Sequence, residues 1–301
     1  MNYAAIADWV DTASFPVNLM CAQLGVSRSA YYAWRSRDPS AHQAQDVMLT
    51  RLIQQFFERL RGNPGVRRMH AELAAAGHRV ARKRVWRLMR AAGLQGRHPR
   101  AWKKTTTAGQ HPVPAPDLIA RSFTAAQPNQ KWCGDITYIK TWDGWAYVAT
   151  VIDLHSRALI GWAAADHMQT TLITDALDMA ITHCRPPTGV IFHSDRGTQG
   201  TSVRLTEHLA LAEIRPSIGT VGDAYDNALM ETINGLYKAE AIRTTIFHRG
   251  PYKTIADVEY ATAAWVEWYN NRRLHSTLGN VPPVEYEQRH YAALNRVPQP
   301  A

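Results

Sequence analysis

The spacing of apolar residues predicts a helix, a turn and a second helix within residues 13–37. Gly25 permits the turn, and Ser27 is a suitable N-cap for the second helix. The pattern is short, so a helix-turn-helix and a plain helical hairpin both fit it. We assign residues 1–40 to a helix-turn-helix-like segment.

A second helical module is predicted for residues 41–95. One helix ends at Gly77, and another follows over residues 82–92. Ala81 precedes the second helix and offers no side chain to cap it. The apolar stripe of that helix is Val85, Leu88, Met89 and Ala92, whereas Lys83, Arg87 and Arg90 share the exposed face. A basic helix face of this kind fits a DNA groove.

Residues 96–120 are predicted to form a flexible linker because they are rich in proline and carry a polar Lys-Thr run. We assign the domain after it to residues 121–290 and a tail to 291–301. Strands are predicted near 131–140, 145–153, 158–165 and 189–194, with a helix near 171–184 before the last strand. A long amphipathic helix follows, in which Trp265, Trp268 and Tyr269 are expected to belong to the core.

The charge is unevenly distributed. The chain has 34 Lys and Arg against 25 Asp and Glu, a net charge of +9. Residues 61–104 hold 13 Lys or Arg and one acidic residue, Glu72. A solvated tail would show the same excess, but the apolar periodicity inside this block favours a folded surface that neutralises DNA phosphates.

Cysteine usage and hydropathy restrict the location. Cys21, Cys133 and Cys184 are too far apart for a disulfide framework or a zinc site, which indicates a reducing cytosol. No run of about 18 apolar residues occurs, and the first residues lack a signal pattern. We expect a soluble, unprocessed protein with no membrane partner.

Three acidic residues occupy positions that suit metal ligands. Asp135 lies in a predicted strand, Asp195 ends another, and Glu231 lies on a predicted helix. Any one of them alone is more commonly a solvated or capping residue. Hard oxygen ligands from three separate elements suit a divalent cation. Two such ions can activate the attacking oxygen and stabilise the leaving oxygen of an in-line displacement at phosphorus. On the helix, Asn227, Glu231, Asn234 and Lys238 share one stripe, opposite Leu229, Ile233 and Leu236.

The residues around these positions resemble the Asp-Asp-Glu transposases, most closely the second-reading-frame product of the IS-three group of bacterial insertion sequences, relatives of retroviral integrase. The motifs are Trp132–Tyr138, His193–Gly197, Gly222–Ala228 with Glu231 and Lys238, and Tyr269–Ser276. The resemblance implies an α/β, ribonuclease H-like core preceded by all-α helix-turn-helix modules. It also implies that Asp135, Asp195 and Glu231 are catalytic ligands of Mg²⁺ or Mn²⁺, as two ions, and that Lys238 contacts DNA. Two residues depart from the family pattern. Gly200 stands where the family usually has an aromatic residue, and Cys133 fills a variable position. Neither departure removes a metal ligand.

The resemblance further implies a transposase that binds the terminal inverted repeats of an element and joins them to target DNA at the bacterial nucleoid. A homo-oligomer of at least two subunits, a fusion to the upstream-frame product and a circular DNA intermediate belong to the same expectation. Arg272, Arg273 and His275 are further candidates for phosphate contacts. The alternatives are a non-catalytic DNA-binding regulator of element ends and a ribonuclease H-like nuclease that cuts RNA in hybrids. The basic helices and Lys238 disfavour the nuclease.

Overall fold

The computed structural model describes residues 2–97, 115–195, 202–219, 228–243 and 251–295. The chain divides into two compact units, Met1–Gln54 and Gln55–Ala301. The division falls inside one helix, α4 (Ala41–Arg59). No helix in these described ranges is long and apolar enough to cross a membrane.

The first unit contains α1 (Asn2–Ala13), α2 (Val17–Gln23) and α3 (Arg28–Arg35). Ile6, Cys21 and Tyr31 form its core. The turn between α2 and α3 passes through Gly25 with a φ of +63°, a left-handed conformation that favours glycine. The Ser27 hydroxyl accepts a hydrogen bond from the Ala30 N–H at 3.0 Å. The predicted helix, glycine turn and capped helix are therefore confirmed.

The second helical module contains α5 (Val66–Ala75) and α6 (Arg82–Ala91), which belong to the second unit. On α6, Val85, Leu88 and Met89 are buried, as the apolar stripe predicts, while Lys83, Arg87 and Arg90 are exposed. Ala81 makes no side-chain capping bond. The basic face of α6 is thus turned away from the module's own core.

The part of the predicted linker that the structure describes is packed against the protein and is not a free segment. Residues 98–114 lie outside the described residues. At its far end, Ala115 and Ile119 are buried, and the Leu118 N–H donates a hydrogen bond to the Ser217 hydroxyl at 2.9 Å. Residues 115–120 therefore pack on the following domain, because their apolar side chains find a place in its core.

The core domain is built on five strands: β1 (Lys131–Lys140), β2 (Trp145–Asp153), β3 (Leu159–Ala165), β4 (Ile191–Ser194) and β5 (Arg215–Ile218). Their order in the sheet is β3-β2-β1-β4-β5. The first three strands pair antiparallel, whereas β4 is parallel to both β1 and β5. This α/β arrangement confirms the predicted order of three strands, a helix and a strand.

Two groups of helices cover the sheet. On one face lies α7 (Thr170–Cys184), whose Leu172, Ile173, Ala176 and Leu177 are buried. A side chain at Gly161 of β3 would collide with the carbonyl oxygen of Ala176, so glycine allows α7 to lie close. The other face carries α9 (Ala228–Tyr237) and α10 (Ile255–Asn271), with the predicted core aromatics Trp265, Trp268 and Tyr269 buried. The remaining helices are α8 (Val203–Leu211) and α11 (Pro283–Leu294), together with a π-helical turn (Lys238–Ile242) and a 3-10 turn (Ser276–Leu278).

Candidate active site

Asp135 and Asp195 leave the sheet side by side. In the parallel pair of β1 and β4, Gly134 is opposite Ser194, so Asp135 is the next residue on β1 and Asp195 directly follows the end of β4. Neighbouring strands lie about 4.8 Å apart. A Cβ atom at Gly134 would come within 2.5 Å of Cζ of Phe192, so glycine also allows the tight packing beneath the first aspartate. The sheet therefore brings the two carboxylates together.

Helix α9 brings Glu231 and Asn234 to the same face of β1. Asn234 Nδ2 donates a hydrogen bond to Oδ2 of Asp135 at 2.7 Å. The backbone N–H of Ile136 donates to Oδ1 of Asp135 at 2.8 Å. Both oxygens of the Asp135 carboxylate are thereby oriented, and Glu231 lies one helical turn before the asparagine that does this.

The apolar residues of α9 pack on the core as the pattern predicts, and Asn234 of the polar stripe is buried as well. The buried residues of this helix are Met230, Ile233, Asn234 and Tyr237, whereas Leu229 and Leu236 are only partly buried. The helix is turned this way because Asn234 bonds to Asp135 and the Tyr237 hydroxyl pairs with that of Thr262 at 2.5 Å. Asn227, expected on the same stripe as Glu231, lies outside the described residues.

The acidic residues influence one another electrostatically. Burial, and then the charge of Asp195, raise the pKa of Asp135 to about 8, with a smaller contribution from Glu231. Burial also raises the pKa of Glu231. Like charges in a poorly solvated place favour either a proton or a cation. The all-oxygen donor set fits a divalent ion such as Mg²⁺.

The described side chains do not form a complete metal-binding site. Among the residues that the structure describes, no three His, Cys, Asp or Glu side chains are placed to hold one ion as they stand. Asp195 and Glu231 border segments outside the described residues, 196–201 and 220–227. These segments include Arg196, Gly197, Gly200 and most of the Gly222–Ala228 motif.

Lys238 extends the site beyond the carboxylates. It begins the π-helical turn that follows α9, and its side chain is partly buried. Its Nζ lies 4.7 Å from the ring centroid of Tyr138. Burial and Arg243 lower the pKa of Lys238, while Asp135 raises it. The predicted basic residue is thus electrostatically coupled to Asp135.

The structure separates the predicted phosphate contacts into two groups. Arg272 is exposed, with only a long 3.8 Å pairing to Glu267. Arg273 is buried, and its Nη2 lies 2.9 Å from Oε1 of Glu240. Burial lowers the pKa of His275 to about 3, so its ring is neutral at neutral pH. Burial and the ion pair with Glu240 disfavour phosphate contacts by Arg273, burial disfavours them for His275, and Arg272 is the exposed member of the three.

Sequence reasoning missed the roles of two residues. Asn234 was placed on the Glu231 stripe without its partner, Asp135. Glu240 is buried and accepts hydrogen bonds from Arg273 and from the indole N–H of Trp265. An acidic residue among apolar neighbours just after α9 is a sequence signal for such a buried pair.

Two kinds of domain family match this chain. An integrase core domain matches residues 125–224, and a second integrase core description matches residues 212–283. An HTH-like domain matches residues 44–102, which covers α5 and α6. The matches therefore include both the basic helices and the carboxylate site.

Curated relatives match over nearly the whole chain. A putative transposase for insertion sequence element IS986/IS6110 of Mycobacterium tuberculosis (strain ATCC 25177 / H37Ra) is 43% identical over 277 residues, 90% of this chain and 98% of the relative. The transposase for IS629 of Shigella sonnei is 40% identical and covers 93% of this chain and 94% of its own length. Transposase InsF for IS3A of Escherichia coli (strain K12) is 34% identical, covering 93% and 96% respectively.

Proposed function

The chain belongs to the IS-three group of insertion-sequence transposases, and we propose that it cuts the ends of its element and joins them to new DNA. The observation that carries this is the pairing of Gly134 with Ser194, after which Asp135 and Asp195 follow directly, just beyond the parallel pairing of β1 and β4. Helix α9 carries Glu231, whose charge contributes to the raised pKa of Asp135, and this supports its assignment to the same site. The activity is that of a polynucleotidyl transferase.

Asp135, Asp195 and Glu231 would hold Mg²⁺ or Mn²⁺, as two ions. Bound there, the ions supply an activated attacking oxygen and a stabilised leaving oxygen for in-line displacement at phosphorus. Asn234 and the Ile136 N–H keep the Asp135 carboxylate in one orientation. Because Asp135 is largely desolvated, its protons and the ions compete for the same oxygens.

DNA would be held by basic side chains outside the carboxylate site. Lys83, Arg87 and Arg90 form an exposed face on α6, and Arg272 is exposed after α10. These would contact phosphates of the terminal inverted repeats and of target DNA, with Lys238 next to the scissile phosphate. Holding two DNA ends at once requires at least two subunits. We also propose fusion to an upstream-frame product and action at the nucleoid. The division of the chain into domains at residues 1–40, 41–95, 96–120, 121–290 and 291–301 is also part of this proposal.

The test is cleavage and joining of labelled duplex carrying the element's ends, with Mg²⁺. We expect Asp135→Asn, Asp195→Asn and Glu231→Gln each to remove nearly all activity and to leave DNA binding largely intact, since the carboxylates act as one unit. Glu267→Gln, on the exposed side of α10, is the matched control and should remain active.

Three results would contradict the proposal. Substantial cleavage by any of the three variants would remove that residue from the site. Binding of end DNA without cutting by the unmodified protein would favour the regulator. Cutting of the RNA strand in a hybrid, with duplex DNA left intact, would favour the nuclease.

A further inference from the structure

Three aromatic side chains remain exposed on the hairpin of β1 and β2. Tyr138 is 52% exposed, Trp145 is 48% exposed and Trp142, in the turn, is 73% exposed. The rings of Tyr138 and Trp145 lie edge to face, with centroids 5.4 Å apart and an interplanar angle of 76°. We call Tyr138, Trp142 and Trp145 the hairpin aromatic surface. A cluster of exposed large rings is a common mark of a binding surface.

Two lysines accompany the rings. Lys140 Nζ lies 5.0 Å from the centroid of the Trp145 ring, and Lys238 Nζ lies 4.7 Å from that of Tyr138. Both distances are within the range of cation–π attraction. Asp143 is the single acidic residue between Tyr138 and Trp145 in the sequence. Rings beside a net positive charge match a ligand that has both flat bases and phosphates, which is a nucleic acid strand.

Lys238 links the hairpin aromatic surface to the carboxylate site. Tyr138 is three residues beyond Asp135 on β1, so its side chain leaves the opposite face of the strand. In the described pairing, β4 accompanies β1 only as far as Gly134. Beyond that point Lys238 lies against the Tyr138 ring, and its charge is also felt by Asp135. A strand on the rings would therefore reach the carboxylates around this edge of β1, past Lys238.

The surface is also held in place before any ligand arrives. The cross-strand register runs without a shift from Trp132 opposite Asp153 to Lys140 opposite Trp145. The turn is attached to the chain ahead of α10, because the Trp142 N–H donates to the Tyr252 carbonyl at 2.9 Å and the Asp143 N–H donates to the Lys253 carbonyl at 3.1 Å. Rings on a fixed hairpin lose little freedom when a base stacks on them.

We propose that the hairpin aromatic surface stacks an unpaired base of the DNA strand next to the scissile phosphate, while Lys140 and Lys238 contact the adjoining phosphates. The inference rests on the proposed function and specifies the form of DNA that the site takes. Stacking requires the face of a base, which a closed duplex buries between its neighbours. The bound end is therefore a strand whose last bases have left the duplex, and stacking accepts any base there.

The experiment compares two labelled DNAs of the same sequence, a fully paired duplex and a duplex with a three-nucleotide single-stranded 3′ tail carrying 2-aminopurine. Binding is measured with the full chain and without divalent metal, so it does not depend on cleavage. The double change Tyr138→Ala with Trp145→Ala should weaken binding of the tailed DNA by about five-fold or more, because one stacked base contributes at least that much. Binding of the paired duplex should change by less than about two-fold, and the quenching of 2-aminopurine should disappear.

Control variants make the result specific. Tyr138→Phe with Trp145→Phe keeps the rings and should retain tail binding. Tyr260→Ala removes a side chain that is 80% exposed on α10, outside the hairpin, and should change the binding of neither DNA. Circular dichroism of each variant verifies folding. If the Tyr138→Ala, Trp145→Ala variant does not fold, Trp142→Ala with Lys140→Ala replaces it, and the same selective loss of tailed-DNA binding is expected.

Two outcomes would overturn the inference. Equal losses for tailed and paired DNA would mean that the rings do not read unpaired bases. A change from dimer to monomer with unchanged binding per subunit would assign the surface to a second copy of this chain. If the unmodified protein fails to cut DNA yet shows ring-dependent binding of the tail, the proposed function fails and this inference stands.

Discussion

Asn234 on α9 donates a hydrogen bond of 2.7 Å to Asp135 on β1, and this contact fixes the helix that carries Glu231 to the central strand. The second oxygen of Asp135 is held by the Ile136 N–H. A carboxylate oriented in this way presents its remaining lone pairs in a fixed direction, which is what a metal ligand requires. Asn234 is therefore a positioning residue for the site.

We expect Asn234→Ala to lower cleavage and joining by about 10- to 100-fold, as loss of a partner behind a metal ligand commonly does. The loss should be partly recovered at high Mn²⁺ concentration, because the weakened step is metal binding. Thr232→Ala, an exposed change on the same helix, is the control. Unchanged activity in the Asn234 variant at limiting metal would show that the hydrogen bond serves only folding.

The strands that carry the site were predictable because their signals are local. Residues 131–140 and 145–153 combine β-branched and aromatic residues over the length of a strand, and both appear with the predicted bounds. The outer strand β5 was not predicted, since Arg215–Ile218 is short and contains Pro216, which suits only an edge. The helix α8 before it was missed as well.

Long-range contacts account for the features that the sequence did not reveal. Arg273 carries the same sequence signal as the exposed Arg272, and only the fold shows that Glu240, 33 residues earlier, accepts its hydrogen bonds. Likewise, nothing local distinguishes Asn234 from a solvated asparagine. A partner distant in sequence leaves no periodic pattern, so these roles require the structure.

The basic face of α6 should dominate the salt dependence of DNA binding. Replacing Lys83, Arg87 and Arg90 by Ala should lower the slope of log affinity against log salt by up to about 0.9 per lost phosphate contact. The control replaces three exposed arginines of the core domain, Arg185, Arg204 and Arg215, and should change the slope less. An unchanged slope in the first triple variant would mean that this face does not lie at the phosphates.

Lys238 should act through its charge on the DNA and not through the metal. Lys238→Arg is expected to keep much of the joining of a pre-cleaved end, whereas Lys238→Ala should lose it through poor positioning of the strand. Mn²⁺ affinity of the protein should survive both changes. Normal joining by the Ala variant would identify a solvated residue, and lost metal affinity would mean that the helix carrying Glu231 had been disturbed.

The Glu240 carboxylate should contribute strongly to the stability of the core domain. It is buried together with Arg273, whose Nε and Nη2 donate to it at 3.0 and 2.9 Å, and Arg68 of α5 lies 3.6 Å away. Glu240→Gln leaves the buried guanidinium without an anion, and such losses cost about 3–5 kcal/mol. We expect a fall of this order in the free energy of unfolding, measured by urea denaturation of the carboxylate variant and the unmodified protein.

The control and the rescue for Glu240 use neighbouring residues. Glu267→Gln breaks only the exposed pairing with Arg272 and should cost no more than about 1 kcal/mol. Replacing both partners, Glu240→Leu with Arg273→Met, removes the two fully buried charges, leaves only the partly exposed Arg68 without its partner, and should recover part of the stability lost by Glu240→Gln. If the double variant is as unstable as the single one, packing around these side chains, and not the unpaired charge, determines the loss. If Glu240→Gln unfolds at the same urea concentration as the unmodified protein, the buried ion pair contributes nothing to the fold.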